Sequence, residues 1–373
     1  MEFYARSVPP DPIMFEDNDD DDWYYDSIVR FQQLQMFDFD SPVTHVDFSE
    51  NDQICIAGKI RGDRQEVQEL SLPEKNSSSA FESHDLKMKT GGFSTKPIFQ
   101  MKCLKNQRKM VLSENTLKGV SVYQLGCEKS DDIKKLCEFA SEITNPLLAV
   151  FDKRIVFGSS SNEIHVANAE VNKVDLIVPS NCPQERETEI ADLCTWSDNF
   201  VGYCESQTGK VTLIDCRSLE RKSFSSLPSK LADSVNARFS LSVQENGNLI
   251  GVLSSGGHVS LFDLRGASDS PLYKVEVCPD SSSEGKELPL ILFSPLQDRF
   301  FSVSGVSVGV SVYRLGESDA KSVFCYDGHS RIKSKTNVHV INHIWSPINE
   351  NMLYSSANDG SFHCWQFIEN KLA

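Results

Sequence analysis

Four residues near the C-terminus, His329, Ser355, Asp359 and Trp365, are of types that carry chemistry or brace it. A histidine that takes a proton from a serine hydroxyl while an aspartate orients it is the core of a nucleophilic triad. A triad also needs donors for the developing oxyanion and a cleft for substrate. The surrounding stretch, CYDGHSRIKSKTNVHVINHIWSPINENMLYSSANDGSFHCWQF from Cys325 to Phe367, supplies neither. The competing reading is a structural hydrogen-bond chain. Ser355 lies four residues before Asp359 and Trp365 six after it. A buried His, Ser and Asp ending on the indole N–H would give each polar group a partner.

Other formal motifs are weaker. Gly305-Val306-Ser307-Val308-Gly309 matches GxSxG, but a nucleophile elbow needs a helix after it, and GVSVYRL reads as a strand. His339 and His343 stand four apart without the glutamate of a zinc-binding helix, in a strand-like run, and belong to sheet packing. No Gly-rich phosphate loop is present, so no cofactor and no metal are expected. His329-Ser330-Arg331-Ile332-Lys333-Ser334-Lys335 is the clearest basic cluster, and Lys105 to Lys109 a lesser one. On an acidic chain such a loop is a candidate contact for an acidic partner, against the plain alternative of a solvated loop. Arg331, Lys333 and Lys335 are its candidate contact residues.

Acidic residues outnumber basic ones 53 to 37, a net charge of −16 that disfavours nucleic acid and anionic membranes. Eleven scattered cysteines without a CxxC pair suit buried thiols in a reducing compartment better than a disulfide framework. The start, MEFYARSVPPDPIMF, lacks the features of a signal peptide, and no apolar run approaches the ~18 residues that span a bilayer. A soluble intracellular protein is expected.

The elements that must position these residues repeat. Closing strands align on Val120, Ile164, Val211, Val259, Val310 and Phe362, separated by 44, 47, 48, 51 and 52 residues, with a weaker close at Val67 to Pro73. Each follows a strand ending in small residues and, further back, an apolar run. Asp131 to Ala140 has helical spacing, but the repeat phase places a strand there. Segments Glu74 to Thr90, Pro179 to Thr188 and Asp280 to Glu287 read as surface loops. Seven four-stranded units predict an all-β, seven-bladed WD40-type β-propeller over residues 36–368, with a tail over 369–373. Ahead of it, 1–22 reads as an acidic flexible leader. Residues 23–35 read as an amphipathic helix packed on the propeller, with Trp23 a candidate contact. Met36 to Asp40 is available as a first strand, and the ring is expected to close by side packing, bridged by that helix.

Several pieces resemble the WD repeat-containing protein 73 family: DDW at 21–23, FDF at 37–39, ELSLP at 69–73, TGGFS at 90–94 with IF at 98–99, and the final SSANDGSFHCWQF. The resemblance runs from about Asp21 to Phe367. It implies a propeller without enzymatic activity, a monomer within a hetero-complex, acting as a protein–protein scaffold in microtubule organisation during cell division and with the Integrator RNA-endonuclease module. Integrator subunits and cytoskeleton-associated proteins are the implied partners. The implied location is cytoplasmic, with spindle poles, cleavage furrow and a nuclear pool. The alternative is an assembly factor or chaperone-like partner of an RNA-processing complex with no direct microtubule role. Net charge bears on that choice, because microtubule surfaces are acidic and would repel this chain, so any such role is expected to be indirect.

Overall fold

The computed structural model describes residues 28–73, 85–105, 107–127, 130–171, 173–178, 187–224, 237–266, 270–277, 288–331 and 338–369. Twenty-eight strands dominate the described residues, in antiparallel meanders of four. The N-terminal strand β1 (Phe31–Asp38) stands apart from the first meander, which is β2 (His45–Glu50), β3 (Gln53–Arg61), β4 (Arg64–Ser71) and β5 (Lys87–Phe93). Then come β6 (Ile98–Leu104), β7 (Lys109–Glu114), β8 (Lys118–Cys127) and β9 (Ser130–Thr144), followed by β10 (Leu147–Phe151), β11 (Arg154–Ser160), β12 (Glu163–Asn168) and β13 (Lys173–Val178). The fourth meander holds β14 (Ile190–Ser197), β15 (Phe200–Glu205), β16 (Val211–Asp215) and β17 (Arg221–Phe224). The fifth holds β18 (Phe239–Val243), β19 (Leu249–Ser254), β20 (His258–Asp263) and β21 (Tyr273–Glu276). The sixth holds β22 (Leu290–Phe293), β23 (Phe300–Ser304), β24 (Val310–Leu315) and β25 (Ala320–Tyr326). A short helical turn, α1 (Gly328–Arg331), precedes β26 (Val340–Trp345), β27 (Met352–Ala357) and β28 (Ser361–Phe367).

The first strand of each meander contacts the first strand of the next, from β2 through β6, β10, β14, β18 and β22 to β26, and β26 contacts β2. Each hydrophobic cluster lies between two consecutive sheets, as when Val111, Val120 and Phe139 meet Leu148, Ile155 and Phe157. The last of them joins the end of the chain to its beginning: Met352, Tyr354 and Phe362 pack on Val46, Phe48 and Ile54. Sheets stacked face to face around a ring are the architecture of a β-propeller. The innermost strands are sheet edges, whose free N–H groups need acceptors. Neighbours supply them. Cys103 N–H donates to Asp47 Oδ2 at 2.7 Å, Leu148 N–H to Gln100 Oε1 at 2.6 Å, and Leu241 N–H to Asp192 Oδ2 at 2.7 Å.

The N-terminus departs from expectation. Of the expected 23–35 helix only residues 28–30 are helical among those described, and residues 31–35 form the first part of β1. This strand pairs antiparallel with β28, from Phe31 opposite Phe367 to Asp38 opposite Ser361. The last sheet therefore closes through backbone hydrogen bonds to a strand from the N-terminus, and Met36 to Asp38 belong to it rather than to the first meander. The physical reason is edge satisfaction. Without β1, the outer side of β28 would present a row of unpaired donors and acceptors beside a fully buried Trp365. Phe31 adds packing, edge-on to Phe324 at 5.3 Å and Tyr326 at 5.7 Å.

Asp131 to Ala140 lies within β9, the strand that the repeat phase requires. The expected loop over 74–90 is shorter than read, because Lys87 to Thr90 open β5; residues 74–84, 179–186 and 280–287 fall outside the described residues. Strand β5 also makes an unexpected parallel contact with β9, Gly91 opposite Asp132, which fuses the first two meanders into one eight-stranded sheet. The approach is close enough that a Cβ at Gly92 would lie 2.8 Å from Ile133 Cβ and 3.0 Å from its carbonyl oxygen. Glycine is the residue that fits.

Candidate functional site

The C-terminal constellation assembles from three places in the last sheet. Ser355 is carried by β27, Trp365 by β28, and Asp359 by the turn between them, while α1 delivers His329. The turn is tight: Gly360 has φ +91°, and a Cβ there would fall 2.4 Å from the Phe39 carbonyl oxygen. Trp365 Nε1–H donates to Ser355 Oγ at 3.0 Å. Ser355 Oγ is 2.8 Å from His329 Nε2, and His329 Nδ1 is 2.7 Å from Ser361 Oγ. Ser361 O–H donates to Asp359 Oδ1 at 2.6 Å. One proton assignment satisfies every group. The indole gives to Ser355, Ser355 gives to Nε2, Nδ1–H gives to Ser361, and Ser361 gives to the carboxylate. That assignment requires a neutral imidazole. Burial holds the His329 pKa well below the usual value, helped by His363, which lies parallel to it at 3.9 Å between ring centroids.

This order of contacts is not a catalytic one. In a triad the carboxylate orients the histidine, whereas here it accepts a hydrogen bond from Ser361, and Ser355 is spent on the indole and the imidazole. His329, Ser355 and Trp365 are also buried, Ser355 at 1% exposure. Ser361 is the link that spacing alone does not single out, since it lies two residues beyond the Asp359 it binds. The stack around the chain is aromatic. Tyr326 lies on Trp365 at 4.6 Å and gives its O–H to His363 Nδ1 at 2.6 Å.

A second relay of the same order lies beside the first. Trp345 Nε1–H donates to Ser302 Oγ at 2.7 Å, Ser302 Oγ is 2.8 Å from His343 Nε2, and Ser304 Oγ is 2.8 Å from His343 Nδ1. Both ring nitrogens of His343 are therefore occupied by serines, and burial lowers its pKa to about 3. His339 is engaged separately, near Asn358. The relay draws its serines from β23 and its Trp and His from β26, so spacing within one repeat could not reveal it. The GxSxG stretch is the bend between β23 and β24, with no helix after it. Among the described residues, no group of three or more His, Cys, Asp or Glu side chains is placed to hold a metal ion.

The candidate contact residues Trp23, Lys333 and Lys335 lie outside the described residues, and Arg331 ends α1. The lesser basic cluster disperses. Arg108 turns to the fully buried carboxylate of Glu69, Nη2 to Oε2 at 2.8 Å, and Lys109 donates to the Ala169 carbonyl at 3.1 Å, leaving Lys105 exposed.

No family model matches the chain. Curated relatives do. Over 380 residues, covering 94% of this chain, it is 26% identical to the Integrator complex assembly factor WDR73 of Danio rerio, 97% of which is covered. The human protein of that name is also 26% identical over 380 residues, with 94% of this chain and 98% of its own covered. The Mus musculus protein is 22% identical over 372 residues at the same coverage. The chain is thus similar to WDR73 proteins along nearly its whole length. Of the pieces that carry the WDR73 resemblance, DDW lies outside the described residues, and the others meet in space. Glu69 of ELSLP accepts from Ser49 at 2.8 Å and from Thr90 of TGGFS at 3.1 Å, and it pairs with Arg108. The two glycines of that motif make the contact with β9. FDF places Phe37 and Phe39 against Phe362 of the final motif, at 6.5 and 6.1 Å. These WDR73-like motifs thus mark the two seams around the first meander, one toward the second meander and one toward the last.

Proposed function

We propose that this chain is a non-catalytic assembly factor for the Integrator complex, built as a seven-bladed propeller in which each four-stranded meander is one blade. The observation that carries this reading is similarity over 94% of the chain to proteins named for that role, at nearly full coverage of their own length. The polar clusters agree with it. The histidines, serines and acids that might have done chemistry are consumed in internal hydrogen bonds, which makes the ring a rigid platform. Work on partners then falls to exposed loops and faces, as a monomer in a hetero-complex. Of the two roles weighed from the sequence, assembly of an RNA-processing complex is favoured over microtubule organisation. The relatives' name points to Integrator, and a net charge of −16 opposes contact with acidic filaments.

The test is depletion of the protein from its own cells, followed by sizing of tagged Integrator subunits. Free subunits should accumulate at the expense of the complex, and re-expression should reverse this. Unchanged assembly, together with no Integrator subunit retained by the purified protein, would refute the proposal.

A further inference from the structure

The closing sheet has one edge where apolar side chains stand in water. The turn between β26 and β27 is tied to the end of β28, with Phe367 N–H to the Asn351 carbonyl at 3.1 Å and Gln366 Nε2 to the Glu350 carbonyl at 2.8 Å. The end of β28 is tied in turn to the residue before β1, Ile368 N–H to the Arg30 carbonyl at 2.9 Å. Along this edge Ile348, Ile368, Ile28 and Val29 are 49%, 41%, 62% and 68% exposed. A groove of about 190 Å³ opens here between the last sheet and the first. Gln33, Phe37, Leu72, Pro73, Ile348 and Tyr354 are among the residues that line it. Among the described residues two acceptors lack donors: Oε1 of Gln33, a lining residue, and Oδ1 of Asn351, next to the lining residue Met352, are both buried with no hydrogen-bond partner. A buried amide oxygen left so is destabilising, and a donor that reaches it relieves the cost. The occupant called for is apolar in bulk and carries an N–H or O–H donor.

The chain itself supplies one. Trp23-Tyr24-Tyr25 leads directly into Ile28 on this edge, and Trp and Tyr combine a large apolar body with a single polar donor. Reach is sufficient. Five residues span at most about 17 Å when extended, and Gln33 lies five residues beyond Ile28 in the other direction. So short a tether also holds the segment at an effective concentration of the order of millimolar, which gives it an advantage over a free peptide of equal affinity. We infer that the Trp23-Tyr24-Tyr25 segment docks into this groove, with an indole or phenol donor on Gln33 Oε1. The inference is independent of which complex the protein serves.

The test uses the full chain with photoreactive benzoylphenylalanine in place of Tyr24. Irradiation and peptide mapping should give cross-links within one chain to 31–38, 72–73 and 346–354. Cross-links only to other parts of the ring, or only between two copies, overturn the inference. Hydrogen exchange on the Trp23→Ala/Tyr24→Ala/Tyr25→Ala variant provides the second arm. Exchange should accelerate several-fold in 31–38 and 346–354 while 147–168 is unaffected. Unchanged exchange at the groove overturns it as well.

Discussion

Replacing Ser355 by alanine removes the hydroxyl that joins the indole to the imidazole in the relay of the last sheet. Trp365 Nε1–H loses its acceptor at 3.0 Å, and His329 Nε2 loses the donor at 2.8 Å, with both side chains enclosed. Each buried polar group left unpaired costs about 1–3 kcal/mol, and alanine recovers part of this by needing no partner of its own, so about 3–4 kcal/mol is expected. Unfolding entropy near 60 °C is about 2.1 cal/mol/K per residue, or about 0.8 kcal/mol/K for a chain of this size, and Tm should fall by roughly 4–5 °C. Trp365→Phe keeps part of the stack on Tyr326 while it deletes the donor and leaves a small cavity, so its own cost combines the loss of one hydrogen bond with a loss of packing. The decisive measurement is the double variant in urea unfolding. Once the indole N–H is gone, one of the two penalties of Ser355→Ala disappears, and the pair should cost at least about 1 kcal/mol less than the sum of its parts. A loss below 1 kcal/mol for Ser355→Ala, or strict additivity, would refute the relay as a brace.

Three further outcomes follow from other parts of the ring. Arg108→Ala leaves the fully buried Glu69 carboxylate without its cation and should cost about 3–5 kcal/mol, part of which Glu69→Gln in the same background should restore, as read by urea midpoints. Gly92→Ala drives a methyl into Ile133 and should cost about 1–3 kcal/mol with faster hydrogen exchange over 130–136, whereas Gly91→Ala, whose nearest neighbour is the Met88 sulfur at 3.6 Å, should be milder. Acidification should weaken the fold through its buried neutral histidines. The folded values of His329 and His343 lie below the ordinary 6.5, so the unfolded chain takes up protons first, and stability complete above that pH falls as pH drops towards the folded values. Between pH 7 and 5.5 His343, whose folded value is about 3, should account for roughly 1 kcal/mol, and His343→Gln should flatten the measured pH dependence of the urea midpoint by about that share.

The repeat was legible because strand periodicity is local. Alternating apolar residues followed by small ones recur from Ile54 to Phe362, and a four-stranded meander needs little more than short turns between them. The relay was half legible, since Ser355, Asp359 and Trp365 lie within one hairpin, but Ser361 was missed because serine in a turn has many ordinary uses. The relay through His343 was not legible, because its serines lie about 40 residues earlier, in another sheet. Residues 31–35 misled in a different way. Phe31 and Leu34 have helical spacing, and the strand wins only because β28, more than 300 residues away, needs an edge partner.

By itself, then, the sequence determined the all-β repeat, the acidic character and the kinship carried by its short motifs. These depend on residue type and on spacing along the chain. Tertiary structure decided how the ring is closed, which polar groups share protons and why the two glycines after Thr90 stand where they do. Each of those depends on a donor, an acceptor or a steric neighbour brought up from a distant part of the chain, and periodicity carries no information about which partner arrives.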